Sequence, residues 1–169
     1  MSLRDTFMLT LDDMESVTKL FNIAPFDIYF LGGAACILGE YTERATRDFD
    51  FIDMGYEAHM GRVFSILRDY DMLEYESTIV ASDYKDRARK MDEYTIFNAY
   101  ILSPEDVLVS KIIRMESKDI QDIDELISKC DKELINKIID NIISRDDLYE
   151  GKKHEFMNNL QSFREKYDV

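Results

Sequence analysis

The stretch FDIYFLGGAACILGE, residues 26–40, followed closely by RDFDFI, residues 47–52, constrains the fold more than any other feature of this chain. Phe26–Leu31 is an apolar run too short for a globular helix and reads as a buried strand. Gly32–Gly33 turns the chain, Ala34–Leu38 opens a short helix, and Gly39 stops it. A second strand follows over Asp48–Ile52. Side chains alternate along a strand, so Phe49 and Phe51 share one face while Asp48, Asp50 and Ile52 share the other. Strand, turn, helix and strand in this order commit the first half of the chain to an α/β arrangement.

The rest of the chain extends that frame. Thr10 to about Phe21 reads as a helix capped by Thr10, with Asp13 at the capping-box distance and Met14, Val17, Leu20 and Phe21 as its apolar stripe. Glu57–Tyr70 reads as a helix with Met60, Val63, Phe64 and Leu67 turned inward. Thr78–Ala81 and Thr95–Leu102 read as strands. Ser103 then caps a helix with Pro104 at its first position and Glu105 and Asp106 in its first turn. Beyond it helices are expected at about 104–116, 118–130, 132–144 and 154–167. The fold class is therefore α/β (α+β): a mixed sheet with flanking helices over residues 1–102, followed by a helical region over 103–169 packed on it.

Composition narrows the function. The formal net charge is −14, which repels phosphate backbones and disfavours general nucleic-acid binding. The densest basic cluster is YKDRARK, with Lys85, Arg87, Arg89 and Lys90; it reads as a solvated edge or as a phosphate-facing patch. The apolar runs are too short to span a membrane, and no basic segment leading into an apolar one marks a secretory leader, so a cytoplasmic location is expected. Cys36 and Cys130 fall within apolar helical patterns and read as small buried hydrophobes. With only His59 and His154 beside them, they show no zinc-ligand spacing.

Glycines directly after a strand let a backbone approach a ligand closely and leave helix N–H groups facing phosphate oxygens. Two aspartates at i and i+2 on a strand have Cα atoms about 6.5 Å apart and point the same way. Such a pair can converge on Mg2+, which takes few protein carboxylates and completes its shell with water and phosphates. Each feature also has a plainer reading. Gly-Gly pairs serve many tight turns, and a chain with 35 acidic residues can carry an acidic strand face by composition alone.

Taken together, Gly32–Gly33 and Arg44, Thr46, Asp48 and Asp50 in RATRDFDFI resemble the nucleotidyltransferase superfamily that includes DNA polymerase β. Its motif is hG[GS], a spacer, then h[DE]h[DE]h. The look is nearest to the small bacterial members, among them the toxin components of toxin–antitoxin and abortive-infection systems. LSPEDVLVSKIIRMESKDIQDIDEL is similar to the helical segment of those families, mapping Asp106, Lys111, Arg114, Asp119 and Asp122. On their own, Lys111 and Arg114 also read as a solvated helix face, and Asp119 and Asp122 as first-turn acids pointing away from the core. The resemblance covers about residues 26–130.

The resemblance implies that Gly32–Gly33 positions a triphosphate, with Arg44, Thr46, Lys111, Arg114, Asp119 and Asp122 as further nucleotide-binding candidates. It implies Asp48 and Asp50 as ligands of Mg2+ or Mn2+, with Lys111 joining them as a catalytic candidate that meets phosphate charge. The superfamily usually has a third carboxylate on a neighbouring strand. The strand expected to carry it, 95–102, has only Asn98; Asp83, Asp86 and Asp92 are the alternatives. Two functions follow. One is Mg2+-dependent transfer of NMP from an NTP to a small molecule, a protein or a tRNA end. The other is a degenerate nucleotidyltransferase fold that binds a nucleotide or a partner protein, as within a toxin–antitoxin pair.

Overall fold

The computed structural model of the chain describes residues 1–44 and 46–169. These form two compact units, Met1–Leu73 with Ala88–Ile101, and Glu74–Arg87 with Leu102–Val169.

The first unit opens with α1, Leu3–Leu20. It begins earlier than Thr10 because Ser2 and Asp5 form a reciprocal capping box, while the Thr10 hydroxyl donates to the Thr6 carbonyl inside the helix. Next come β1 (Asp27–Leu31), α2 (Gly32–Leu38) and β2 (Phe49–Ile52). The expected helix at 57–70 is shorter. It comprises single turns on either side of α3, Gly61–Phe64, and ends where Arg68 adopts a left-handed backbone with φ +66°. The freed chain forms β3, Tyr70–Leu73, a strand that the helical reading hides. The short β4 (Arg89–Lys90) and β5 (Asn98–Ile101) complete a five-stranded sheet in the order β3-β2-β1-β5-β4. β1 runs antiparallel to β2 and parallel to β5; β2 runs parallel to β3.

The phenylalanine alternation decides which side of this sheet is its core. Phe49 stacks on Phe7 of α1 at 4.5 Å, and Phe51 packs on Phe64 of α3 at 4.9 Å. Phe30, Phe51 and Phe64 are fully buried, each contributing about 1.5–3 kcal/mol by leaving water. Asp50 alternates with them and faces away from Phe7 and Phe64.

The second unit is helical: α4 (Tyr84–Arg87), α5 (Pro104–Ser110), α6 (Ser117–Leu126), α7 (Lys132–Ser144) and α8 (Glu150–Tyr167). Ser103 caps α5 by accepting the Asp106 N–H, with Pro104 at the first position. The strand expected at Thr78–Ala81 is not formed. Its Thr78 and Val80 carbonyls accept hydrogen bonds from Arg145 Nη1 at 2.9 and 2.8 Å, and Arg145 stacks over Tyr75 with 4.0 Å to the ring centre. A buried guanidinium thus takes the place of a neighbouring strand. Among the described residues no helix is long and apolar enough to cross a membrane.

Candidate functional site

Strand register assembles the acidic residues. Leu31 of β1 lies opposite Asp50 of β2, and Asp50 lies opposite Asp71 of β3. Residues paired in register share a face, with neighbouring strands about 4.8 Å apart. Asp50 and Asp71 are therefore side by side. Asp48 leads into β2 two residues before Asp50 and is exposed, as is Asp71; Asp50 is half-buried.

The glycine pair meets these side chains directly. Gly32 has φ +60°, a conformation that suits glycine. A Cβ on it would overlap the Asp50 Oδ2 and lie 3.3 Å from Asp50 Cβ and Cγ. The bare face of Gly32 is thus the seat of the Asp50 carboxylate. A Cβ on Gly33 would lie 2.8 Å from Thr46 Cγ2, so that glycine seats Thr46. Thr46 and Arg44 belong to the connection from α2 to β2, and both are half-buried.

The expected third carboxylate is not where the sequence suggests. β5 pairs with β1 and β4, not with β2. Asn98 donates to the Asp27 carboxylate at 2.9 Å. Asp83 lies 3.0 Å from Arg87, whose hydrogen bond holds its carboxyl below the usual carboxylate range; Asp86 is in α4, and Asp92 is in an exposed turn. Of the strands beside β2, β1 carries Asp27, which accepts from Asn98, and β3 carries Asp71, which lies opposite Asp50. The signal for Asp71 is YDML, an aspartate between apolar neighbours in a short apolar run. That run lies directly after a helical pattern, which conceals it.

The other predicted site residues pair among themselves in the helical unit. Lys111, with 7% of its side chain exposed, lies 2.9 Å from Asp122, with 1% exposed. Arg114 holds Asp119 through two hydrogen bonds of 2.6 and 2.8 Å, and Asp119 also caps α6 by accepting the Glu116 N–H. The two aspartates therefore do not point away from the core. Both are buried; Lys111, which follows the last residue of α5, pairs with Asp122, and Arg114, in the turn after it, pairs with Asp119, so that two ion pairs tie the end of α5 and the turn that follows to α6. Asp106 is fully buried and accepts Arg87 Nε at 2.9 Å and Nη2 at 2.8 Å, which pushes the Arg87 guanidinium further up from its ordinary range. Burial, with Glu105 adding, pushes the Cys130 thiol up to about 12, so it stays protonated at neutral pH.

Hard oxygen donors few in number suit Mg2+ or Mn2+, and the row of Asp48, Asp50 and Asp71 offers such donors. Among the described residues, no three His, Cys, Asp or Glu side chains are gathered as a ready ligand shell. The carboxylate pair fits a metal that takes its remaining ligands from substrate and water, not one caged by protein.

A family described as "Nucleotidyltransferase of unknown function (DUF6036)" matches residues 6–168. The match takes in the last 40 or so residues, beyond the segment that carries the resemblance in sequence. No curated protein and no solved structure matches the chain.

Proposed function

The chain belongs to this family of nucleotidyltransferases of unknown function, and from that premise we propose that it transfers NMP from an NTP to an acceptor hydroxyl in a reaction dependent on Mg2+ or Mn2+. The observation that carries the reading is Asp50 beside Asp71 on the sheet face opposite Phe49 and Phe51, with Asp50 seated on Gly32 and Asp48 two residues before it. Asp48 and Asp50 would hold the metal, which when bound would neutralise phosphate charge at the reacting centre. Asp71, on the strand next to β2, takes the acceptor's proton as general base. Lys111 and Arg114 are left out of the proposed site, because each already neutralises a carboxylate within its own unit. Kinship with the polymerase β superfamily and its bacterial toxin members belongs to this proposal and rests on the Gly-Gly and Asp-x-Asp spacing.

The acceptor is a small molecule, a protein or a tRNA end; the net charge of −14 weighs against the last. The test is transfer of α-phosphate label from each of four NTPs, with Mg2+ or Mn2+, to these acceptor classes. Asp71→Asn is expected to lower the rate roughly 10²–10⁴-fold, the usual range for a lost general base, with metal affinity kept within a few-fold. Nucleotide binding without transfer to any acceptor would replace this reading with a binding module whose partner is a protein.

A further inference from the structure

Gly33 needs an explanation that its backbone does not supply. Among the described glycines only Gly32 and Gly55 have positive φ, so Gly33 sits in a conformation open to any residue. What requires a glycine there is space. A Cβ would meet three atoms of one side chain, Thr46 Cγ2 at 2.8 Å and Thr46 Cβ and Oγ1 at 2.9 Å. The space that a side chain at this position would take is filled by the threonine.

The same threonine touches the acidic pair. Its Oγ1 accepts the Asp48 N–H at 3.4 Å, a short-range hydroxyl turn that sets the chain just before β2 begins at Phe49. Two seats therefore sit one residue apart on the turn, Gly33 under Thr46 and Gly32 under Asp50. Asp50 is fixed by its own seat and by the strand register. Asp48 precedes the paired strand, and the hydroxyl of Thr46 is the side-chain group that holds its amide.

We propose that Thr46 is the positioning residue of the acidic pair: seated on Gly33 and bonded to the Asp48 amide, it sets the Asp48 carboxylate beside that of Asp50 for a shared divalent cation. The inference rests on the metal-dependent reading of the site. It gives the second glycine a role apart from phosphate approach, and the two roles separate in the absence of nucleotide.

The test is the affinity of the nucleotide-free protein for Mn2+, read from the electron paramagnetic resonance signal of free Mn2+, with thermal melting as a check on folding. Thr46→Ser keeps the acceptor and should bind within twofold of wild type. Thr46→Val keeps the shape and loses the acceptor; Gly33→Ala displaces the threonine. Each should weaken Mn2+ roughly three- to tenfold, the scale of one hydrogen bond. Should Gly33→Ala fail to fold, the nearly isosteric valine variant carries the test. Valine and alanine variants that hold Mn2+ as wild type does would overturn this inference alone. A wild type that takes up no Mn2+ would overturn the metal-dependent reading and this inference with it.

Discussion

The two units treat carboxylates in opposite ways. In the helical unit Asp106, Asp119 and Asp122 are buried, and each meets a cation of the same unit: Arg87, Arg114 and Lys111. In the sheet unit Asp48, Asp69 and Asp71 are exposed, and no ion pair involves them among the described residues. Buried charge without a partner is costly, so the first group is bound to its cations by the requirements of folding. Within the second group, strand register places Asp71 opposite Asp50, Asp48 and Asp69 lead into β2 and β3, and the Thr46 hydroxyl accepts the Asp48 N–H. Charge that the fold does not neutralise is available to something the fold does not contain.

If that contrast is sound, damage to the buried set should fall on stability. The largest effect is expected for Asp106→Ala. It removes two charge-assisted hydrogen bonds from Arg87, whose side chain is only 18% exposed, and the Ser103 hydroxyl loses its acceptor at 2.6 Å. Breaking a buried pair from one side costs about 3–5 kcal/mol when the surviving charge is left alone; Asp83, 3.0 Å from Arg87, remains and keeps the loss toward the lower end. Urea unfolding followed by circular dichroism measures it. A loss under about 1 kcal/mol, the scale of an exposed pair, would show that solvent reaches Arg87 and that the contrast is overdrawn.

Lys111 and Asp122 sharpen the comparison, with a smaller expected net effect. Asp122→Asn alone leaves a nearly buried ammonium facing a neutral amide, and stability should fall. Lys111→Met together with Asp122→Leu removes both charges and keeps apolar bulk. A buried pair replaced in this way is often neutral or more stable, so the double variant should return to within about 1 kcal/mol of wild type. Because the pair is assigned to the link between α5 and α6, the double variant should also keep wild-type nucleotide affinity by calorimetry. A double variant that folds like wild type but loses nucleotide would return Lys111 to the site from which the buried pairing removes it.

Legibility in the sequence follows the same division. The strand at 27–31, the strand-to-helix change at Gly32–Gly33, the core face shared by Phe49 and Phe51, and the cap at Ser103 are all set by neighbours close in sequence, and local pattern reveals them. What local pattern hides is what distant residues decide. Thr78–Ala81 has the composition of a strand, yet its carbonyls go to Arg145, more than sixty residues away. β3 is four residues long and follows a helical pattern, and only its pairing with β2 makes Asp71 a neighbour of Asp50. The acidic residues at 119 and 122 look solvated because polar residues usually are; their burial depends on cations that arrive from the end of α5 and the turn after it. The two glycines are legible as a turn, but the side chains they seat are not, since Thr46 and Asp50 reach them only after the chain has folded back.

The smallest effect on the empty protein is expected for Asp48→Asn combined with Asp50→Asn. Two carboxylates on one strand face repel each other, and replacing them removes repulsion without burying a new polar group. The half-buried Asp50 keeps a side chain of nearly the same shape on Gly32. Stability without ligand should therefore change far less than for a broken buried pair, by about 1 kcal/mol at most. The ligand response is where the variant differs. A ligand that binds only the native state stabilises it by about 2.7 kcal/mol at one hundred times its dissociation constant. Wild type with Mn2+ and an NTP should melt at a higher temperature than wild type alone, and the double variant should not. Thermal melting with metal alone, nucleotide alone and both together separates the contributions. If the double variant keeps the full ligand-induced shift, metal and nucleotide bind elsewhere, and the exposed acids of the sheet unit are a solvated surface like any other. If it instead loses several kcal/mol with no ligand present, these aspartates serve the fold as the buried ones do, and the two units do not differ in the way argued here.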